Sequence, residues 1–167
     1  MKSPKSQQGF TLIETVIYAG LISIIIGFAV SMISQIIENQ SRLRARVEVA
    51  EETNFILRKI SWALAGVTAI NQPPSGSSST ILGTTKSNFA ENPLVFDLNG
   101  GNIRLSRASG TPAILNSGNI LVKKLNFEHT AASGTIPEAV KTTITLESVS
   151  ASSSETITTV DYLRKQL

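Results

Sequence analysis

The sequence predicts an α+β protein in which one long N-terminal helix packs, by its outer half, on an antiparallel β-sheet domain. Two observations lead to this prediction. No charged residue occurs from Thr15 to Ile37, and apolar side chains then recur at helical spacing as far as Val67. From Leu94 onward the apolar period changes from 3.6 to 2, which is the period of strands.

The uncharged segment is long enough to cross a membrane. As a helix, residues 15–37 would span about 34 Å, whereas the hydrocarbon core of a bilayer is about 30 Å thick. A cleaved secretory signal is disfavoured, because no small-x-small site follows Ile37. We therefore predict a retained transmembrane helix over residues 10–37, preceded by a polar leader, residues 1–9, that contains Lys2 and Lys5.

The helix is expected to continue beyond the membrane. No proline occurs between Glu38 and Val67, and charged pairs at four-residue spacing, such as Glu38 with Arg42, favour a helix. We predict an amphipathic outer half over residues 38–70 that lays an apolar stripe on its own domain. The predicted stripe consists of Leu43, Val47, Ala50, Leu57, Ile60, Leu64 and Val67.

Residues 71–167 are predicted to form the sheet domain. Pro73 and Pro74 forbid continuation of the helix. Alternating apolar residues over 94–98 lead into Asn99-Gly100-Gly101, which is typical of a tight turn between two antiparallel strands. Further strands are predicted over residues 120–128, 140–149 and 156–163, with a bulge near Lys123 and Lys124.

The composition excludes several chemistries. The chain has no cysteine and one histidine, so it can form neither a disulfide framework, nor a thiolate metal site, nor a zinc site built on a histidine pair. The carboxylates of residues 71–167 show no recognisable catalytic spacing, and His129 is predicted to lie on the surface. We predict no enzymatic activity and no cofactor.

The junction between leader and helix reads Gly9-Phe10-Thr11-Leu12-Ile13-Glu14. Behind a Lys-containing leader and ahead of an apolar helix, this hexapeptide resembles the class III signal of type IV pilins and of the pseudopilins of type II secretion. The resemblance implies that prepilin peptidase cuts between Gly9 and Phe10 and N-methylates Phe10. It also implies a single-pass protein of the bacterial cytoplasmic membrane with a cytoplasmic N-terminus, which then enters an extracytoplasmic filament.

Glu14 and a stripe of small residues are the candidate assembly groups. A carboxylate at the start of an apolar run is costly unless it is paired, so Glu14 is expected to pair with the Phe10 amine of a neighbouring subunit. The alternative is a first-turn glutamate that the helix macrodipole favours. The small residues share one helical face, where they would let helices approach closely unless they are merely tolerated: Gly20, Ser23, Gly27, Ser31 and Ser34.

The predicted function is a structural subunit, a minor one, of a type IV pilus, competence or type II secretion pseudopilus filament, with other pilin or pseudopilin subunits as partners. Loose patterns over 116–119 and 162–164 are similar to W-type minor pilins and J-type minor pseudopilins. Two alternatives stay open: a tip subunit that binds DNA or a surface ligand, and an unprocessed membrane-anchored protein. The basic residues considered for the first alternative are Lys86, Arg104, Arg107, Lys123 and Lys124.

The mature chain is predicted to begin at methylated Phe10. Replacing Gly9 with a bulky residue should block the cut, because the enlarged side chain would have to enter the peptidase site beside the scissile bond. Mass spectrometry of the protein from a host with an active prepilin peptidase checks this. Residues 1–9 still attached to the wild-type chain would contradict processing and would favour the unprocessed alternative.

Overall fold

A computed structural model describes residues 11–150 and 153–163. These residues form one helix followed by strands, which confirms the predicted α+β class. The chain divides between Ser41 and Arg42 into two compact units. The elements are α1 (Leu12–Leu64), β1 (Val67–Gln72), β2 (Ser78–Ser79), β3 (Leu82–Lys86), β4 (Leu94–Asn99), β5 (Asn102–Arg107), β6 (Ala113–Ile114), β7 (Ile120–Thr130), β8 (Ala139–Ser148) and β9 (Ser154–Tyr162).

The strands form two antiparallel sheets where the sequence predicts one. The first sheet has five strands in the order β1-β3-β4-β5-β6, and the second has four in the order β2-β7-β8-β9. The chain passes between the sheets early: it leaves β1, pairs Ser78 and Ser79 with β7 of the second sheet, and returns to the first sheet at β3. Aliphatic side chains, together with Phe96 and Phe127, fill the core of this unit.

The helix ends at Leu64, before the end near Val67 that the apolar spacing predicts. Gly66 follows with φ of 71°, a left-handed conformation that glycine adopts without strain and that commonly ends helices. Residues 67–72 then pair with β3 as strand β1. A helical outer half over residues 38–70 is therefore too long at its C-terminal end.

A lysine from the first sheet caps the C-terminal end of this helix. The last turn of α1 contains no basic residue. Lys86 of β3 donates a hydrogen bond from Nζ to the carbonyl oxygen of Trp62 at 2.7 Å, which satisfies one of the four terminal carbonyls of the helix. Its ammonium also lies 4.4 Å from the centre of the Trp62 ring. Burial against this site lowers the pKa of Lys86.

The buried stripe of the outer helix differs in part from the predicted one. Ile60 and Leu64 are buried as predicted, and Leu57 is partly buried against the core. Leu43 and Val47 are exposed, so their predicted burial is wrong. The buried residues of the helix are Ala45, Val49, Thr53, Ile56, Ile60, Ala63 and Leu64.

Two local predictions in the sheets are confirmed. Residues 94–99 pair with 102–107 across a two-residue turn, in which Gly100 and Gly101 have φ of 59° and 81°. A turn with positive φ at both positions matches the twist of the strands it joins. In β7 the register shifts between Val122 and Lys124, so Lys123 is the extra residue of the predicted bulge.

Two carboxylates of α1 hold the loop that precedes β7. Both oxygens of Glu52 accept the backbone N–H of Ser117, at 3.2 and 3.1 Å, and Glu48 accepts Nδ2 of Asn119 at 3.2 Å. The buried Asn116 accepts the N–H of Ile103 and donates to the carbonyl of Ile120. This loop connects the two sheets, so its fixation ties both sheets to the outer helix.

His129 is buried, and its predicted surface position is wrong. Strand β7 runs two residues beyond the predicted end at Glu128, and its alternation places His129 on the core side after Phe127. One ring nitrogen, Nδ1, contacts the carbonyl of Pro73 at 2.9 Å, and Nε2 contacts Oε1 of Glu138 at 2.7 Å. These contacts replace the water that the ring loses on burial.

The outer helix should prove to be a folding element of the sheet domain. Ile60 is fully buried, so Ile60→Asp would place an unpaired charge in the core and should destabilise the domain by about 3–5 kcal/mol. The measurement is chemical denaturation of a soluble fragment that starts at Arg42. The exposed residue Val47 provides the matched control, because Val47→Asp should change stability by no more than about 0.5 kcal/mol. Equal losses for the two variants would contradict this packing.

Candidate assembly helix

Gly9 and Phe10, the predicted cleavage and methylation site, lie outside the described residues. The structure begins at Thr11, which caps the helix. Its Oγ1 accepts the backbone N–H of Glu14 at 3.3 Å, and its carbonyl accepts the hydroxyl of Thr15 at 3.3 Å. A threonine whose oxygen takes an early helical N–H is a common helix start. The scissile junction predicted from the sequence therefore immediately precedes a helix cap.

Glu14 lies in the first turn of α1, where the macrodipole favours a carboxylate. It is half-buried, whereas the other residues from Thr11 to Arg44 are exposed. Oε1 of Glu14 accepts a hydrogen bond from the hydroxyl of Tyr18 at 3.3 Å. Sequence reasoning missed Tyr18, although its four-residue spacing from Glu14 is the signal that could have identified it.

The apolar helix surface of the first unit is exposed. One helix is long and apolar enough to cross a membrane, and none of its most apolar window is buried. Exposure of this much apolar surface to water would be costly, at about 25 cal/mol for each Å². The helix therefore requires a membrane or another protein around it. Its exposed large side chains are Leu12, Ile13, Val16, Ile17, Tyr18, Leu21, Ile22, Ile24, Ile25, Ile26, Phe28, Val30, Met32, Ile33, Ile36 and Ile37.

The predicted stripe of small residues forms a flat helix surface with few protruding side chains. A Cβ atom added to Gly20 or Gly27 would meet nothing within 4 Å. Ser23 and Ser34 direct their hydroxyls back to carbonyls of their own helix, at 2.8 and 3.0 Å. Because these hydroxyls are already satisfied, the face can enter an apolar environment without losing hydrogen bonds to water.

A second exposed apolar surface lies on the outer part of the helix. It consists of Leu43, Val47, Phe55 and Trp62, which lie roughly half a helical turn away from the buried stripe. Cations border its aromatic end: Nζ of Lys59 is 5.4 Å from the centre of the Phe55 ring, and Lys86 covers Trp62. We call these four residues the outer apolar face. An exposed apolar patch of this kind is typical of an interaction surface.

The basic residues considered for ligand binding do not form a common unpaired patch. Arg104 makes a two-bond ion pair with Asp97, at 2.7 and 2.9 Å, and the hydrogen bond raises the pKa of Arg104. Arg107 pairs with Glu91 at 3.1 Å and Lys123 with Glu147 at 3.4 Å. Lys86 is engaged at the helix end. Ion pairing neutralises three of the five residues locally, which weakens the field that would attract a polyanion.

The described part of the chain offers little for metal chemistry. No group of three or more Asp, Glu or His side chains in it could hold a metal ion. The carboxylates that face the sheets, Glu48 and Glu52, bind a loop instead.

Comparison with known protein families identifies the N-terminal segment. Residues 4–30 match the family model described as the prokaryotic N-terminal methylation motif. No curated protein and no solved structure matches the chain. The match confirms the prepilin-type signal, and with the α+β fold it supports a type IV pilin-like or pseudopilin-like subunit anchored in the membrane. Such proteins are usually structural, and the motif implies processing by prepilin peptidase and assembly with other pilin subunits.

The small-residue face can be tested at Gly27. Gly27→Leu should leave membrane insertion and domain folding unchanged, because its added side chain meets open space in the single chain. It should reduce entry into filaments, because it prevents close approach of a second helix. The measurement is the share of the variant in sheared filaments relative to membranes. Ile25→Leu, an apolar exchange on the opposite side of the helix, is the matched control; equal shares for the two variants would contradict the packing role.

Proposed function

We propose that the protein is a minor structural subunit of a type IV pilus, competence or type II secretion pseudopilus filament, assembled through its N-terminal helix. The observation that supports this most strongly is the methylation motif over residues 4–30, which includes the first part of an exposed apolar helix. The motif and its apolar helix are suited to anchoring in a membrane and to packing with other subunits in a fibre. The α+β unit would then lie outside the membrane.

Processing is the first step of the proposed function. Prepilin peptidase cuts between Gly9 and Phe10 on the cytoplasmic side and methylates the new amine of Phe10. The chain then crosses the membrane once, with the leader side in the cytoplasm and the sheet domain outside. The capped helix start at Thr11 supports this division, because the segment removed would precede the first helical turn.

Assembly follows through Glu14. The cut creates a positively charged amine at Phe10, and the carboxylate of Glu14 pairs with the corresponding amine of a neighbouring subunit. Such a pair is strong only where water is scarce, as in the core of a filament. The half-buried carboxylate on an otherwise exposed helix start supports this role, because its free surface is still available to a partner.

Helix packing completes the proposed assembly. The small-residue face brings neighbouring helices close together in the membrane-spanning half. The outer apolar face, Leu43, Val47, Phe55 and Trp62, supplies a second contact with neighbouring subunits beyond the membrane. Both surfaces are exposed in the single chain, which is the condition for a contact between subunits.

The minor role is supported by the similarity of the patterns over residues 116–119 and 162–164 to W-type and J-type subunits. The loop over 116–119 is well fixed, since Glu48 and Glu52 hold it. The abundance of the chain in purified filaments distinguishes a minor from a major subunit. No contact in the described residues favours the DNA-binding or surface-binding alternative.

Glu14→Gln tests the proposed assembly step. The variant should be cleaved, inserted and folded normally but enter filaments less well, because only the ion pair between subunits is lost. Tagged wild-type and variant chains are expressed together, and the share of each is compared in filament and membrane fractions. A glutamate that serves only its own helix dipole would have at most about 1 kcal/mol of local effect and would partition like wild type, which would remove Glu14 from the mechanism.

A further inference from the structure

The contact between Tyr18 and Glu14 joins the two polar side-chain tips at the start of the apolar helix. Tyr18 Oη donates to Glu14 Oε1 at 3.3 Å, across one helical turn. Among the described residues, the carboxylate of Glu14 has a donor at Oε1, namely Tyr18, and none at Oε2. Oε1 of Glu14 therefore accepts a hydrogen bond from the described residues, whereas Oε2 accepts none from them.

A carboxylate at the start of an apolar helix that enters a membrane requires a hydrogen-bond donor. Unpaired charges near lipid are costly, and a tyrosine hydroxyl is a donor that combines with an apolar ring suited to the membrane interface. The rest of the helix surface offers no comparable donor to Glu14: the hydroxyls of Ser23 and Ser34 are turned to their own carbonyls, and that of Thr15 to Thr11.

We propose that Tyr18 is a positioning residue for assembly. Its hydroxyl fixes the rotamer of the Glu14 carboxylate in the unassembled subunit, with Oε2 left to receive the amine of the neighbouring chain. This inference rests on the proposed pairing of Glu14 and adds a second residue to it. Without the hydroxyl, Glu14 would have several rotamers to lose on pairing, and the incoming amine would meet a less ordered acceptor.

The alternative is that Tyr18 acts only through its ring, as an apolar contact or an interface anchor. Phenylalanine keeps the ring and removes only the hydroxyl, so Tyr18→Phe separates the two roles. A double-mutant cycle with Glu14→Gln then asks whether the hydroxyl acts through the carboxylate.

The experiment uses the full-length chain in its native host. Wild type, Tyr18→Phe, Glu14→Gln and the double variant are each expressed with a distinguishably tagged wild-type chain. The measured quantities are the share of each variant in sheared filaments relative to membranes, and the N-terminal mass, which reports cleavage. Tyr162→Phe, on an exposed tyrosine of β9 in the other unit, is the matched control for loss of a hydroxyl.

We expect Tyr18→Phe to be cleaved normally and to enter filaments roughly two- to tenfold less than wild type, the range for the net value of one hydrogen bond. The double variant should equal Glu14→Gln alone, and Tyr162→Phe should equal wild type.

Two results would overturn the role of Tyr18 while leaving the proposed function intact. One is a Tyr18→Phe variant that partitions like wild type beside a defective Glu14→Gln. The other is a double variant whose loss is the product of the two single losses, which would mean that Tyr18 acts independently of Glu14. A wild-type chain that is processed but never found in filaments would instead overturn the proposed function itself.

Discussion

The exposed apolar surface of α1 over residues 12–37 is the physical constraint on which the rest of the molecule depends. Apart from Glu14, no side chain from Leu12 to Ile37 is even half-buried against the described chain. A surface of this kind is stable only in lipid or against another protein. Residues 4–30, which include the start of this helix, match the prokaryotic N-terminal methylation motif, and the match supports anchoring in a membrane. The serine hydroxyls bonded to their own helix allow the same surface to suit either environment.

The outer part of the helix differs from this first part, because it has apolar residues on two opposite sides. One side, which includes Ile56 and Ile60, closes the core of the two sheets, and the other is the outer apolar face. The carboxylates Glu48 and Glu52 fix the loop between the sheets, so the helix organises the domain by polar as well as apolar contacts. The side that the fold does not bury is therefore exposed and available to other proteins.

The sequence predicts turns and bulges that depend on adjacent residues. It does not predict burial correctly where two different packings are consistent with the same apolar pattern. The turn at Gly100 and Gly101 and the bulge at Lys123 follow from adjacent residues alone. The predicted burial is correct for Ile60 and Leu64 and wrong for Val47, because a helix with two apolar sides gives no indication of which side is buried. The paired partners of His129, Pro73 and Glu138, are set by tertiary contacts that periodicity does not contain.

In the candidate assembly helix, too, local motifs are predicted from the sequence and contacts between side chains are not. The hexapeptide signal around Glu14 is a local motif, and the family comparison confirms the segment that contains it. Tyr18 was missed because a tyrosine in an apolar run fits simple membrane contact equally well. Only the geometry, a 3.3 Å contact from its hydroxyl to the carboxylate, distinguishes it from the aliphatic residues around it.

The two candidate assembly elements cannot perform the same task. Small residues at 20, 23, 27, 31 and 34 repeat at nearly equal spacing, so moving one helix along another by one or two turns aligns small residues with small residues again. Packing of this stripe therefore favours close approach without choosing one axial position. Glu14 has no counterpart elsewhere in the apolar run, and a buried charge that misses its partner is strongly penalised. A single polar group within an apolar interface is the best-attested way to fix the register of packed helices. In the proposed assembly, adhesion between subunits would fall to the stripe and the choice of register to Glu14, a division that would account for a carboxylate at a position where lipid alone would disfavour it.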